Sequence, residues 1–441
     1  MELESAITEL GRFAAALRWE SLDAGTRARA LDVLLDTIGV TLAGARTPEL
    51  AALQATVIGD AGASRPLGTE LRLSPTTAAW LDGTAACCLE LDEGNKRARG
   101  HPAAHVVPAA LAMAPQVRVD GPTWLSAFVA GHEVATRVAA ATHLHAGVHP
   151  HGNASIAGAA TTAARLLALD APRIAAAIDA ATALPLATDF AAALDGSFVR
   201  NTWIGQANAS GIAAARLAAA GLADVDGRGR GTLGRVLGDL DVDLLVDGLG
   251  EHLSVTDGYF KRHASCSYTH PPADAAIALR EGGVSADEVV GIEVRTHHLA
   301  AALDRHATPT RLAAMFSIPY VVAATLVHGR FDTSSSDAAA RDDPAVRRLV
   351  AATTVTDDPD LDARLPDERA AAVTVRLVDG SEHTIEVPNP IGDASHHPLT
   401  RTDLIAKLDG LLQPGEAISV AAIVDGLPTT TDAASALTHL P

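Results

Sequence analysis

The chain has 441 residues and a formal net charge of −19, from 34 Lys and Arg against 53 Asp and Glu, a balance that argues against nucleic acid or an anionic membrane as partner. Apolar residues make up 48% and aromatic residues only 3%, so Ala, Leu and Val must fill the core, and the length suffices for two or three domains. The three cysteines, Cys87, Cys88 and Cys266, form no CxxC pair, which excludes a disulfide framework and an iron–sulfur cluster.

The start, MELESAITELGRF, has no basic segment followed by an apolar run, and charged residues interrupt every Ala-rich tract before it reaches the length of a membrane span. A cytoplasmic protein with no membrane partner is expected. From about residue 4 to 255 the pattern is helical throughout. SLDAGTRARALDVLLDTIGVTLAGA opens on Ser21 or Asp23 as N-cap, repeats apolar residues at helical spacing and stops at Gly44. PTTAAWLDGTAACCLEL, TWLSAFVAGHEVATRVAAAT, NASIAGAATTAARLLALD, PRIAAAIDAATAL and GIAAARLAAAGL follow in the same style. Their apolar faces are too wide for lone surface helices, so helix must pack on helix, with Gly131, Gly158 and Gly211 permitting close crossings.

After residue 258 the texture changes. EVVGIEVRTH alternates as a strand, and AAVTVRLVDGSEHTIEVP reads as a hairpin turning at Asp379-Gly380. AAMFSIPYVVAATLVHG and DPAVRRLVAAT read as helices, and SSSDAAARDD as an exposed loop. The last segment, LTRTDLIAKLDGLL with SVAAIVDGL, is helical again and could return to the first unit. The reading is a mainly α protein: a large all-helical domain (1–257 plus 398–441) with a smaller α+β domain (258–397).

Chemistry concentrates in ELDEGNKRARGHPAAH, residues 90–105. It holds three carboxylates (Glu90, Asp92, Glu93), three cations (Lys96, Arg97, Arg99) and two imidazoles (His101, His105) between nearly uncharged flanks. Ionisable groups in apolar surroundings are usually paired or put to use. Either this is a site of proton transfer on an anionic substrate or it is a solvated surface loop. HLHAGVHPHGN sets His149 and three further imidazoles ahead of a helix beginning near Asn153, an arrangement that attracts carboxylates. SFVRNTWIGQAN places Arg200 between apolar runs, YFKRHASCSYTHPPADAA gathers Lys261 and His270 at the junction of the two units, and FSIPY puts Tyr320 at a helix start. With no HExxH and only loose histidine spacing, no metal is expected. Neither GxSxG nor GxGxxG occurs, so serine hydrolysis and dinucleotide binding are unsupported.

DTIGVTLAGA, LELDEGN…GHPAAHVVPAALA, GHEVATR, HPHGNASIAGAA, KRHASCSYTHPPADAA, FSIPYVVAA and HHPLTRTDLIAKL, in this order, resemble the MmgE/PrpD family, which includes 2-methylcitrate dehydratase, cis-aconitate decarboxylase and iminodisuccinate epimerase. The resemblance implies a helical domain from both chain ends, an α+β lid, a homodimer, and a cofactor-free site in the cleft between domains. It implies a lyase, dehydratase or decarboxylase, acting on a small polycarboxylate such as 2-methylcitrate or cis-aconitate. The alternatives are an epimerase on another acid and a non-catalytic homologue that binds an acidic metabolite. His101, Glu90, Asp92, Lys261 and Tyr320 fall at catalytic positions, with Glu90 or Asp92 orienting the His101 base. His149, Arg200 and His270 fall at substrate-binding positions. Arg200 stands where the family has lysine; a guanidinium can clamp a carboxylate but is a poor proton shuttle. Arg97 and Arg99 read as loop charges.

Overall fold

The computed structural model describes residues 1–57 and 59–441. Four of its longer helices start on side-chain caps legible in the sequence. Asp23, and not Ser21, accepts from the Thr26 N–H and opens Ala24–Ala45, while Ser74, Asp120 and Asp170 do the same for Pro75–Cys88, Gly121–Ala141 and Ala171–Thr182. In the last three a proline follows in the first turn, where its missing N–H costs nothing. Small residues let these helices cross closely. A Cβ on Gly131 would fall 1.9 Å from Thr162 Oγ1, one on Gly158 2.5 Å from the Ala135 Cβ, and one on Gly211 2.4 Å from the Ala159 Cβ. The helix at 156 begins three residues later than Asn153, at Ile156.

Both ends of the chain contribute to this helical core. Leu404, Leu408, Val420 and Val424, from Arg401–Asp409 and Glu416–Gly426, pack in the same buried cluster as Leu34, Ile38 and Leu42. Lys407 Nζ reaches Asp36 Oδ1 at 2.7 Å and the Leu91 carbonyl at 2.9 Å.

Two short ribbons interrupt the region read as helical throughout. β1 (Gly94–Asn95) pairs with β4 (Gly258–Tyr259), and β2 (Thr142–Leu144) pairs with β3 (Gly238–Leu240), both antiparallel. They were hidden because two or three residues carry no readable alternation. A second buried cluster surrounds a four-stranded sheet of β5 (Val289–Thr296), β6 (Thr353–Asp357), β7 (Ala371–Leu377) and β8 (Glu382–Val387), in the order β6-β5-β7-β8 with only β5–β6 parallel. The hairpin at Asp379-Gly380 is as expected. β6, TTVTD, is an additional edge strand whose Thr and Asp side chains read as loop. His270–Glu281 packs on β7 and β8, and Ile318–His328 packs against it. The expected single helix from Ala313 is broken: Arg311–Met315 ends at Phe316, and Ser317 caps a new helix through the Tyr320 N–H. SSSDAAARDD is largely exposed, as expected, but forms a short turn and the helical turn Ala338–Arg341 rather than a loop, with Ser335 and Ser336 buried. Among the described residues, no helix is long and apolar enough to cross a membrane.

Candidate active site

A cavity of about 550 Å³ opens between the helical core and the sheet-bearing part, walled by Glu90, His101, His149 and Arg200 on one side and Tyr268 and Phe316 on the other. Local chain geometry assembles its inner wall. Pro75–Cys88 ends, and the chain reverses through Glu90 at φ 52°, a left-handed conformation costing a non-glycine residue about 1–2 kcal/mol. Arg99, also lining the cavity, has φ 49°. Backbone strain of this kind gathers at functional clefts. The β1–β4 register, Gly94 opposite Tyr259, then lays Glu90–Glu93 against the segment carrying Lys261. Gly94 is required there: a Cβ would fall 2.3 Å from the Tyr259 ring.

Four buried charges meet as a result. Glu90 Oε1 accepts from Arg200 Nη1, and Glu90 Oε2 accepts from Lys261 Nζ at 2.9 Å, which also stands 3.3 Å from Asp92 Oδ1. All four residues are 1% exposed or less. Removing ions from water costs several kcal/mol each, and only mutual pairing offsets it. Burial alone would pull the Lys261 pKa down, but the Asp92 and Glu90 carboxylates overcome this and hold the ammonium above its ordinary range. Lys261 therefore stays charged and does not shuttle protons as a base. Neither Lys261 nor Asp92 lines the cavity; both stand behind its wall.

His101 is held in one tautomer. Its Nδ1 lies 2.8 Å from the Glu93 carbonyl, toward which the N–H is directed. Asp92 Oδ2 is 3.0 Å from the same nitrogen without hydrogen-bond alignment. A carbonyl can only accept, so Nδ1 carries the proton and Nε2 keeps its lone pair. Burial lowers the His101 pKa; the Asp92 carboxylate opposes this but does not cancel it. The ring is thus neutral and basic at neutral pH.

Three more imidazoles adjoin it. His151 packs edge-on against His101, His105 and His149, with ring centroids 5.2, 5.9 and 4.4 Å away. Burial keeps all three neutral: His105 is lowered to about 4, and His149 and His151 lie well below the usual imidazole range, with Arg200 adding to the effect. Arg200 directs Nε at His149 and Nη2 at His151, each 3.4 Å away, and Nη1 also reaches Asn201 Oδ1 at 3.2 Å. Its guanidinium is engaged on every side, with Phe316 5.0 Å beneath it. As a free carboxylate clamp, the expectation for Arg200 does not match this placement.

Arg369 was not singled out in the sequence, and Arg99 was read as a loop charge; both line the cavity. Arg99 is exposed, bonded to the Thr142 carbonyl and His143 Nδ1. Arg369 stands over the rings of Tyr268 and Tyr259, 5.3 and 5.6 Å from their centroids. Among the described residues neither has a carboxylate partner. Cys266 also faces the cavity, but burial pushes its thiol up to about 11, so it is no nucleophile at neutral pH.

Two expected site residues lie elsewhere. Tyr320 is buried in the sheet-side core, where its hydroxyl donates to the Ser335 carbonyl at 2.6 Å and its ring meets Phe331; the helix break delivers Phe316 to the cavity instead. His270 packs on His263, with Nε2 3.3 Å from the Ser265 carbonyl, beside a much smaller cavity. Glu90, His101, His149 and Arg200 do come together. Among the described residues no group of three or more His, Cys, Asp or Glu side chains is arranged to hold a metal ion.

Two family models match the chain: the MmgE/PrpD N-terminal domain over residues 8–224 and the MmgE/PrpD C-terminal domain over residues 263–422. No curated protein matches it.

Proposed function

Because the chain belongs to the MmgE/PrpD family, we propose that it is a dehydratase-type lyase that removes a proton beside a carboxylate with His101 as base. The observation carrying this reading is the fixed tautomer: Nδ1–H directed at the Glu93 carbonyl leaves Nε2 unprotonated in a ring that lines the cavity. In the proposed reaction Nε2 takes the proton from the carbon next to the substrate carboxylate. The electron pair left behind forms the new C=C bond as the β-hydroxyl departs. The imidazolium returns the same proton to that hydroxyl, so water leaves and the base is restored. Asp92, 3.0 Å from Nδ1, stabilises the transient imidazolium. Lys261, itself anchored on Glu90, fixes this carboxylate in place.

The test is turnover of a panel of hydroxy acids, from compact tricarboxylates such as 2-methylcitrate to 3-hydroxy acids with an apolar arm, read by mass spectrometry in D₂O. Loss of water from at least one acid is expected. His101→Ala should lower turnover by about 10²–10⁴-fold, the usual range for a lost acid–base group, with folding intact. Deuterium exchange without water loss would point to epimerisation; His101→Ala with native kinetics would remove His101 from the reaction.

A further inference from the structure

The distribution of charge along the cavity points to a more definite substrate class. We propose that Arg369 is its carboxylate anchor, and that the substrate is an acid with one anionic end and an apolar arm rather than a compact tricarboxylate. This rests on the reading of the cavity as an acid-binding enzyme site.

Arg369 is only 9% exposed, yet among the described residues its polar contacts are with neutral groups: Ser267 Oγ at a long 3.4 Å and the Tyr259 hydroxyl. A guanidinium withdrawn from water without a carboxylate is unfavourable unless something else neutralises it. This chain has an excess of acids, 53 against 34 bases, and none of those in the described residues is placed against Arg369. The Tyr259 and Tyr268 rings lie beneath the cation, and its five N–H donors exceed what these neutral neighbours can accept, so donors remain to meet an anion. A carboxylate arriving through the cavity fits those donors.

Around Glu90 the opposite condition holds. Arg200 and Lys261 are both spent on Glu90 and Asp92, and two positive charges against two negative leave no net attraction for further carboxylates. Glu90 itself lines the cavity and would repel one. The rest of the wall is largely apolar, with Leu144, Val148, Phe190, Phe316, Leu299 and Ala302. A volume of about 550 Å³ lies within the range that holds drug-sized ligands, and these side chains would solvate a hydrocarbon arm, not a second or third carboxylate.

The test is calorimetric binding on the full chain, with hexanoate, hexanol and citrate as probes, so that no turnover is needed. Hexanoate should bind about tenfold or more tighter than either hexanol or citrate, and Arg369→Met should remove that margin over hexanol, the size expected for a charged hydrogen-bonded pair. Arg369→Lys should keep part of it. The thermal midpoint of Arg369→Met should equal or exceed that of the native protein, because an unpaired buried charge is removed, so the loss will not be one of folding. Citrate binding tighter than hexanoate, no hexanoate binding, or hexanoate affinity unchanged in Arg369→Met would each overturn the proposal. Binding through Arg369 without turnover of any acid would instead overturn the lyase reading and leave this one standing.

Discussion

Two groups of cations near the cavity use the same residue types in opposite ways. Around Glu90, Arg200 and Lys261 are closed off against Glu90 and Asp92, and every charge has a partner. Arg99 and Arg369 face the cavity with no acid beside them among the described residues. Paired charges of this kind are poor ligands but good scaffolding: they pin the loop that fixes His101. Cations with no acid beside them keep their charge available for an anionic ligand. A cation lining a cleft is therefore informative only once its partners are counted.

The sharpest way to break the contrast is at Lys261. Lys261→Met leaves Glu90 and Asp92 as neighbouring buried carboxylates with one cation fewer, and should cost about 3–5 kcal/mol of stability, the usual penalty for orphaning a buried charge. Urea unfolding measures it, and Lys261→Met combined with Asp92→Asn should recover part of the loss. A cost below about 1 kcal/mol would contradict the scaffold role.

Acid should weaken the fold next. His105, His149, His151 and His270 are all depressed, in each case first by burial. Depressed histidines bind protons in the unfolded chain before the folded one, so stability is level above pH 6.5 and falls as pH drops toward 4. For His105, lowered from 6.5 to about 4, the complete loss is on the order of 3 kcal/mol. Urea midpoints across that interval check the sign. The acid limb of kcat/KM should fall below the ordinary imidazole value, as the lowered His101 requires.

The smallest effect is expected at the rim. Arg99 is exposed, so its attraction for an acid is screened by solvent and salt. Arg99→Gln should raise KM roughly two- to fivefold at low ionic strength, with kcat unchanged and the difference vanishing in high salt. A fall in kcat would move Arg99 from guidance into the reaction.

Much of the scaffold could be read from the residues because its signals are local. A cap, a proline after it and an apolar face lie within one helix, and a hairpin turn sits beside its own strands. β6 escaped because TTVTD is polar and borders the sheet, so its partner in β5, some sixty positions away, defines it. The site divides in the same manner. The Glu90–His105 block stood out as charge in apolar surroundings. Arg369 sits in LPDERAAAV, just ahead of the hairpin, and acquires its character only from Tyr259 and Tyr268, about a hundred positions earlier. The FSIPY segment was recognised, but a cap at Ser317 ends one helix and starts another, which turns Phe316 to the cavity and Tyr320 away.

The bond from Lys407 to the Leu91 carbonyl spans 316 residues. Leu91 adjoins both Glu90 and Asp92, so the loop bearing those carboxylates is fastened by a residue that leaves the ribosome long after it. At the usual ~5–20 residues per second, the loop waits roughly 15–60 s during synthesis with this latch unmade. Through that interval Asp36, otherwise buried beside Lys407, also lacks its cation. The nascent chain should therefore be most open to proteases and chaperones around residues 89–101, and should lose that sensitivity once Lys407 has emerged and docked.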